Sequence, residues 1–200
     1  VSRQKRTCPP GALTTFFVEG GDEEKACLAL LGGPAGAFWM TLDGQAGVAV
    51  NVASATKDPG WPGIQNIGVV LDAGENLADA RTLAESVFVQ LGRGTPSRPG
   101  VVEADTIGKI GYFLLPDNAA NGALESLLKR SADPAVRACV DGLFVCTPNV
   151  GSTTAQRDKA WLSAYLAAKS GKGRLDQAWP ALDPAHPCFD PLRTFLQALL

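Results

Sequence analysis

The stretch Ile67-Gly68-Val69-Val70-Leu71-Asp72 is an apolar run closed by an acid, and two others share its plan: Thr14-Thr15-Phe16-Phe17-Val18-Glu19-Gly20 and Gly111-Tyr112-Phe113-Leu114-Leu115-Pro116-Asp117. Each is short and rich in Val, Ile, Phe or Leu, and each leads into a helix-like segment, as strands of a buried parallel sheet do. In such sheets ligands sit outside the carboxyl ends of the strands. If the strands are neighbours, Glu19, Asp72 and Asp117 share one cleft, and converging carboxylates of this kind bind metal.

Working outward, Asp22 is expected to cap a helix over about 23–31, with Glu23 and Glu24 in its first turn favoured by the helix dipole. Glu19 precedes the glycines and has no capping role, so it is either a site residue or a solvated strand end. Gly47-Val48-Ala49-Val50-Asn51-Val52 reads as a strand or hairpin arm, after a similar stretch over 37–42. Leu77, Ala80, Leu83, Ala84, Val87 and Leu91 recur at helical spacing and predict an amphipathic crossover helix over about 76–91. A hairpin is expected within 100–115 and a helix within 122–130. The last third reads as helical over about 134–144, 154–169 and 191–200, the last opened by Asp190-Pro191. One α/β domain over 12–200, preceded by a flexible basic leader over 1–11, is the expected organisation.

Composition narrows the function. The chain has 200 residues, 46% of them apolar and 19% charged, with net charge −2. That suits one well-buried domain. Apolar runs break well before the roughly 18 residues a membrane span needs, so a membrane partner is not expected. The five cysteines lack a C-x-x-C pair, which argues for a reduced, cytoplasmic protein. Cys27, Cys139 and Cys146 read as small buried hydrophobes, and His186 with Cys188 as a proline-rich structural loop. No global field attracts nucleic acid. Arg3/Lys5/Arg6, Arg93/Arg98, Lys129/Arg130 and Lys169/Lys172/Arg174 are local basic clusters or ordinary solvated surface.

Val18-Glu19-Gly20 in a first strand-to-helix turn, with Leu71-Asp72-Ala73-Gly74-Glu75-Asn76 after a second strand, resembles the motifs of Toprim domains, found in topoisomerases, primases and several nucleases. From Phe16 to Leu200 the chain resembles small stand-alone Toprim-like proteins of unassigned function from bacteria and archaea. The further marks are Tyr112-Phe-Leu-Leu-Pro-Asp117-Asn118, Gly122-Ala-Leu-Glu125, Arg157-Asp-Lys159-Ala with Trp161-Leu, and Phe189-Asp190-Pro with Leu196. The resemblance implies a Toprim-like, Rossmann-like α/β fold with a mostly parallel central sheet flanked by helices and a helical C-terminal part. It implies Glu19 as general acid/base or metal ligand and Asp72 as a ligand of Mg²⁺ or Mn²⁺. By analogy with the overcoming-lysogenization-defect nucleases, Glu125 and Lys159 become candidates, with Glu23 and Asp117 as supplementary acids.

One position departs from the pattern: the second aspartate of D-x-D falls at Gly74. Metal binding is then weak or absent unless Glu75 or Asp117 replaces that charge. Three functions remain open. The first is a Mg²⁺-dependent nuclease acting on DNA or RNA, in genome defence or repair; the second is a degenerate binding module for nucleic acid or a protein partner such as an ATPase. The third is an enzyme acting on a small phosphorylated ligand held at Gly20-Gly21 by backbone amides.

Overall fold

The computed structural model describes residues 7–44, 47–147, 150–175 and 182–200. Its centre is a five-stranded sheet formed by β1 (Thr14–Val18), β2 (Phe38–Thr41), β3 (Asn66–Asp72), β4 (Val102–Ala104) and β5 (Lys109–Leu115), in the order β2-β1-β3-β5-β4. β2, β1, β3 and β5 run parallel and the edge strand β4 runs antiparallel to β5. The fold is therefore α/β with a mostly parallel sheet, and the expected hairpin is β4–β5.

Because strand side chains alternate between faces, the sheet separates two apolar clusters. Phe16, Val18, Val70, Phe113 and Leu115 face α1 (Gly21–Leu31), α4 (Leu124–Arg130), α6 (Thr154–Ser170) and the final helix α7 (Asp190–Leu199). Phe17, Val69, Leu71, Tyr112 and Leu114 face α2 (Val48–Ala55) and α3 (Leu77–Gln90). α5 (Pro134–Cys146) packs on α6. Leu192, Phe195, Leu196 and Leu199 of α7 are buried at helical spacing.

α7 reaches the sheet closely because the register pairs Gly68 with Gly111. A Cβ on Gly68 would lie 2.8 Å from Leu199 Cδ1, and one on Gly111 2.9 Å from Phe195 Cε2. These strand glycines mark close approach rather than bends. The last carbonyls of α7 are met by side chains from the strand starts. Thr14 Oγ1 and Asn66 Nδ2 donate to Leu199 O at 3.1 and 2.9 Å, and Lys109 Nζ donates to Ala198 O at 2.7 Å.

Three expectations are corrected. Residues 48–55 form a helix, not a strand or hairpin arm, because Val48, Val52 and Ala55 share one buried helical face. Their packing against α3 overrides the β-preference of valine. Asp22 does not cap α1: the helix begins at Gly21 and its flanking residue Gly20 has no side chain to cap with. Cys139 and Cys146 are exposed, whereas Cys27 is buried as expected. The leader expected over 1–11 falls outside the described residues for 1–6. From Cys8 the chain is already anchored, with Cys8 N donating to Asp58 Oδ2 at 3.1 Å. Trp39 and Trp161 are core residues, Trp61 is half-buried, and Trp179 lies outside the described residues. Among the described residues no helix is long and apolar enough to cross a membrane.

Candidate functional site

β1 and β3 are neighbours, so the acids that close them meet at the carboxyl end of the sheet. Glu19 N donates to Val70 O at 3.2 Å, extending the ladder by one residue. Its carboxylate reaches across to the end of β3, where Oε2 accepts from Asp72 N at 3.0 Å. Asp72 Oδ1 in turn accepts from Leu124 N at 3.0 Å, which ties the start of α4 to the end of β3 and delivers Glu125 to the same place. Glu23 arrives from the first turn of α1 and is buried.

These acids strain one another electrostatically. Burial pushes Asp72 well above the usual carboxylate range, and repulsion from Glu23, Glu19 and Glu125 adds to it, with the Leu124 N–H opposing. Burial also raises Glu23 to about 7, helped by the charges of Glu19, Glu125 and Asp22 and opposed by its own backbone N–H. Glu19 is raised by burial, with the Asp72 N–H opposing and the Glu125 charge adding to the rise. Partly buried like charges raise each other's pKa because each disfavours the ionised form of the next. A nearby cation is Lys159, whose Nζ lies 3.9 Å from Glu125 Oε1 and whose side chain is 73% exposed, so it offsets little of this repulsion.

The donor set suits a hard divalent cation, which takes oxygen ligands. Even so, among the described residues no three Asp, Glu, His or Cys side chains already stand in a metal-holding arrangement. One oxygen of Glu19 and one of Asp72 are turned to backbone N–H groups. A cation must draw them away from those donors or use their second oxygens.

Asp117, expected to supplement the cleft, is employed elsewhere. Its Oδ1 accepts from Ala119 N and Ala120 N at 3.1 and 2.8 Å, and its Oδ2 accepts from Arg130 Nη2 at 2.7 Å. Burial pushes its pKa up, but these donors outweigh burial and hold it below the ordinary value. It organises the turn after β5. Gly74 has φ +60° and bridges Gly122 through both backbone groups, Gly74 N to Gly122 O at 2.7 Å and the reverse at 2.9 Å. A Cβ there would meet nothing within 4 Å, so the position is open although it carries no acid. Beside Gly20-Gly21, Glu23 Oε2 lies 2.9 Å from where a Gly20 Cβ would be, and the Glu23 carboxylate accepts from its own N–H.

The His186–Cys188 segment is a structural loop. His186 Nδ1 accepts from Cys188 N at 3.2 Å, and burial, the main cause, pushes the Cys188 thiol up to about 11. Such a thiol is not an activated nucleophile. Arg93 is likewise withdrawn from any nucleic-acid surface. It forms a bidentate, buried pair with Asp105 at 2.6 and 2.7 Å and donates to Gln65 O at 2.8 Å.

A cavity of about 440 Å³ opens beside the acids, lined by Lys25, Glu125, Lys159, Leu162, Leu166 and Arg174 among others. Motif reading had no reason to single out Lys25; its place three residues beyond Asp22, one helical turn away, is the only sequence signal it carries. A second cavity, of about 410 Å³, is lined by Arg130, Asp133, Arg137, Lys169 and His186 among others and shares no residue with the acid cluster.

With this geometry in hand, the family follows from the sequence match. Residues 15–200 match the family model described as a protein of unknown function, DUF3226. The chain belongs to this DUF3226 family. No curated protein matches it. Among solved structures, the C-terminal region of the OLD protein of Xanthomonas campestris pv. campestris is similar at 16% identity and a TM-score of 0.42, covering 94% of this chain and 95% of that one.

Proposed function

We propose that this DUF3226 chain is a Toprim-like, Mg²⁺-dependent phosphotransfer protein that cleaves nucleic acid. The observation that carries the reading is the meeting of Glu19, Glu23, Asp72 and Glu125 at the carboxyl end of the sheet, with the ionised forms of Glu19, Glu23 and Asp72 disfavoured. Carboxylates left short of positive charge attract a divalent cation, and here the donors are all oxygen. The motif resemblance at Val18-Glu19-Gly20 and Leu71-Asp72 agrees with it.

Asp72, Glu23 and Glu125 would hold the metal, which when bound supplies charge neutralisation at a phosphodiester and lowers the pKa of an attacking water. Glu19, raised by burial and close to the end of β3, is the acid suited to hold or release a proton. Lys159 stands over Glu125 and offers its ammonium to a phosphate oxygen. α4 and the β3 end orient the acids through the Leu124 N–H.

The test is a calorimetric titration with Mn²⁺ of wild type and Asp72→Ala, followed by gel assays of single-stranded and duplex DNA and RNA with Mg²⁺ or Mn²⁺. Saturable binding lost in Asp72→Ala, with cleavage lost in Glu19→Ala, is the expected result. Binding that survives Asp72→Ala, or cleavage by Glu19→Ala at the wild-type rate, overturns the assignment. Gly74 favours a second reading, a degenerate module that binds without turnover. Absence of Mn²⁺ binding by wild type decides for it.

A further inference from the structure

α4 delivers both Glu125 and the Leu124 N–H to the acid cluster, yet it has only seven residues. A helix that short is marginal by itself, so its place is set by what holds it. Its flanking residue Ala123 has no polar side chain to cap it. Three ties on alternate residues hold the entering chain instead. Gly122 exchanges both backbone groups with Gly74, at 2.7 and 2.9 Å, and Leu124 N donates to Asp72 Oδ1 at 3.0 Å. Ser126 Oγ accepts from Ala123 N at 3.2 Å and donates to Asp158 Oδ2 at 2.6 Å. The last of these is a charge-assisted bond, short and strong for a hydroxyl on a carboxylate.

Asp158 is itself held firmly on α6. Its side chain is 13% exposed, and its Oδ1 accepts from Lys129 Nζ at 3.3 Å. That ammonium lies 5.0 Å from the ring centre of Trp161, a buried residue one turn beyond Asp158. A serine hydroxyl has a single proton. With that proton given to Asp158, a lone pair of Ser126 Oγ is left to face Ala123 N, the residue before Leu124. We propose that Asp158 is a positioning residue for the acid cluster: through Ser126 it fixes the first turn of α4 so that the Leu124 N–H meets Asp72 and Glu125 stands beside it. The assignment rests on the metal-dependent reading above and adds a residue that acts through Ser126 rather than on the metal. The neighbouring Lys159 meets Glu125 at 3.9 Å, so two consecutive residues of α6 hold two consecutive residues of α4. Groups that orient metal ligands in this way are commonly worth about 10–100-fold in metal affinity.

Backbone amide exchange is followed by NMR on the full chain in EDTA, at one pH, for wild type, Asp158→Ala, Asp158→Asn and Ser126→Ala, with the Val70 amide of β3 as internal reference. Mn²⁺ affinity of the same proteins is measured by calorimetry, and circular dichroism checks folding. In both alanine variants the Leu124 amide is expected to exchange about tenfold faster relative to Val70, and Mn²⁺ to bind about tenfold more weakly. Asp158→Asn keeps an oxygen acceptor for Ser126 and is expected to return both readouts to within about twofold of wild type. Leu124 exchange that rises no more than that of Val70 marks a general loss of stability and overturns the proposal, as does an Asp158→Asn protein that behaves like Asp158→Ala. Should Asp158→Ala fail to fold, Ser126→Ala and Asp158→Asn carry the same comparison. The two readings separate because the exchange measurement needs no metal: a wild type that binds no Mn²⁺, with Leu124 protection still dependent on Asp158, sinks the nuclease and leaves the positioning role standing.

Discussion

The two ends of the central sheet are built from the same strands and treat charge in opposite ways. At the amino end, Asn66, Thr14 and Lys109 meet the last carbonyls of α7, and Arg93 forms its buried pair with Asp105 while also donating to Gln65 O. Asp105 is held far below the ordinary carboxylate range, chiefly by the Arg93 guanidinium. At the carboxyl end, Glu19, Glu23 and Asp72 are raised, and Lys159 is too exposed to compensate them. Stability is invested at one end, and a cation-seeking imbalance is tolerated at the other. The contrast is the usual one between a scaffold and a site.

The largest effect belongs to the amino end. Arg93→Ala leaves a buried Asp105 carboxylate unpaired and should cost about 3–5 kcal/mol, read by urea unfolding. A loss below about 1 kcal/mol would break the comparison at its firmer half.

Next comes pH. Unfolded Glu23 releases its proton near 4.5, whereas the folded protein holds it to about 7. Between those values the native state binds more protons, so stability falls as pH rises through the window and stays lowered above it. The metal-free protein should lose on the order of 2–3 kcal/mol between pH 5 and pH 8 from this group, and Mn²⁺ should restore much of it at pH 8. Asp105 has the opposite sign, but its depressed pKa confines its effect to more acidic solution. Unfolding curves in EDTA that are flat or improve toward pH 8 would count against the crowded carboxyl end.

A smaller change sharpens the same point. Asp72→Asn retains the acceptor for Leu124 N–H and removes a buried acid whose ionised form is disfavoured, so the metal-free protein at pH 8 should gain about 1–2 kcal/mol while losing Mn²⁺ affinity. Destabilisation by this variant would contradict the repulsion. The smallest stability effect is expected for Gly74→Asp, which places an acid in open space at φ +60° at a cost of about 1 kcal/mol. Calorimetry should show Mn²⁺ binding about tenfold tighter; unchanged affinity would mean that this glycine is not what limits the site.

Much of the frame was legible in the chain. The strands β1, β3 and β5 announce themselves because both faces are buried and each ends in Gly or acid, and α3 through its helical spacing. What hid α2 was its valines: their β-preference is local, while the face formed by Val48, Val52 and Ala55 has meaning only against α3. The neighbourhood of Glu19 and Asp72 was also hidden, since β2 lies between β1 and β3 in sequence but outside them in the sheet. Asp117 illustrates the converse. Its position after an apolar run matched the pattern, yet its partner Arg130 sits 13 residues further on, beyond what turn chemistry alone can reveal. Lys25 and Arg174 carry no motif because a cavity wall assembled from three segments has no fixed spacing.

The lock between α7 and the strand starts also sets the order in which the molecule can be completed. Thr14 and Leu199 stand 185 positions apart, and Asn66 and Leu199 133. Closing contacts of such separation costs loop entropy before it returns any burial, which slows folding. Until residues 190–199 arrive, Phe16, Phe113 and the shallow glycine groove at Gly68 and Gly111 lack their cover. A chain whose sheet pairs before α7 docks shows an adhesive face, and its yield on refolding is then expected to fall as protein concentration rises.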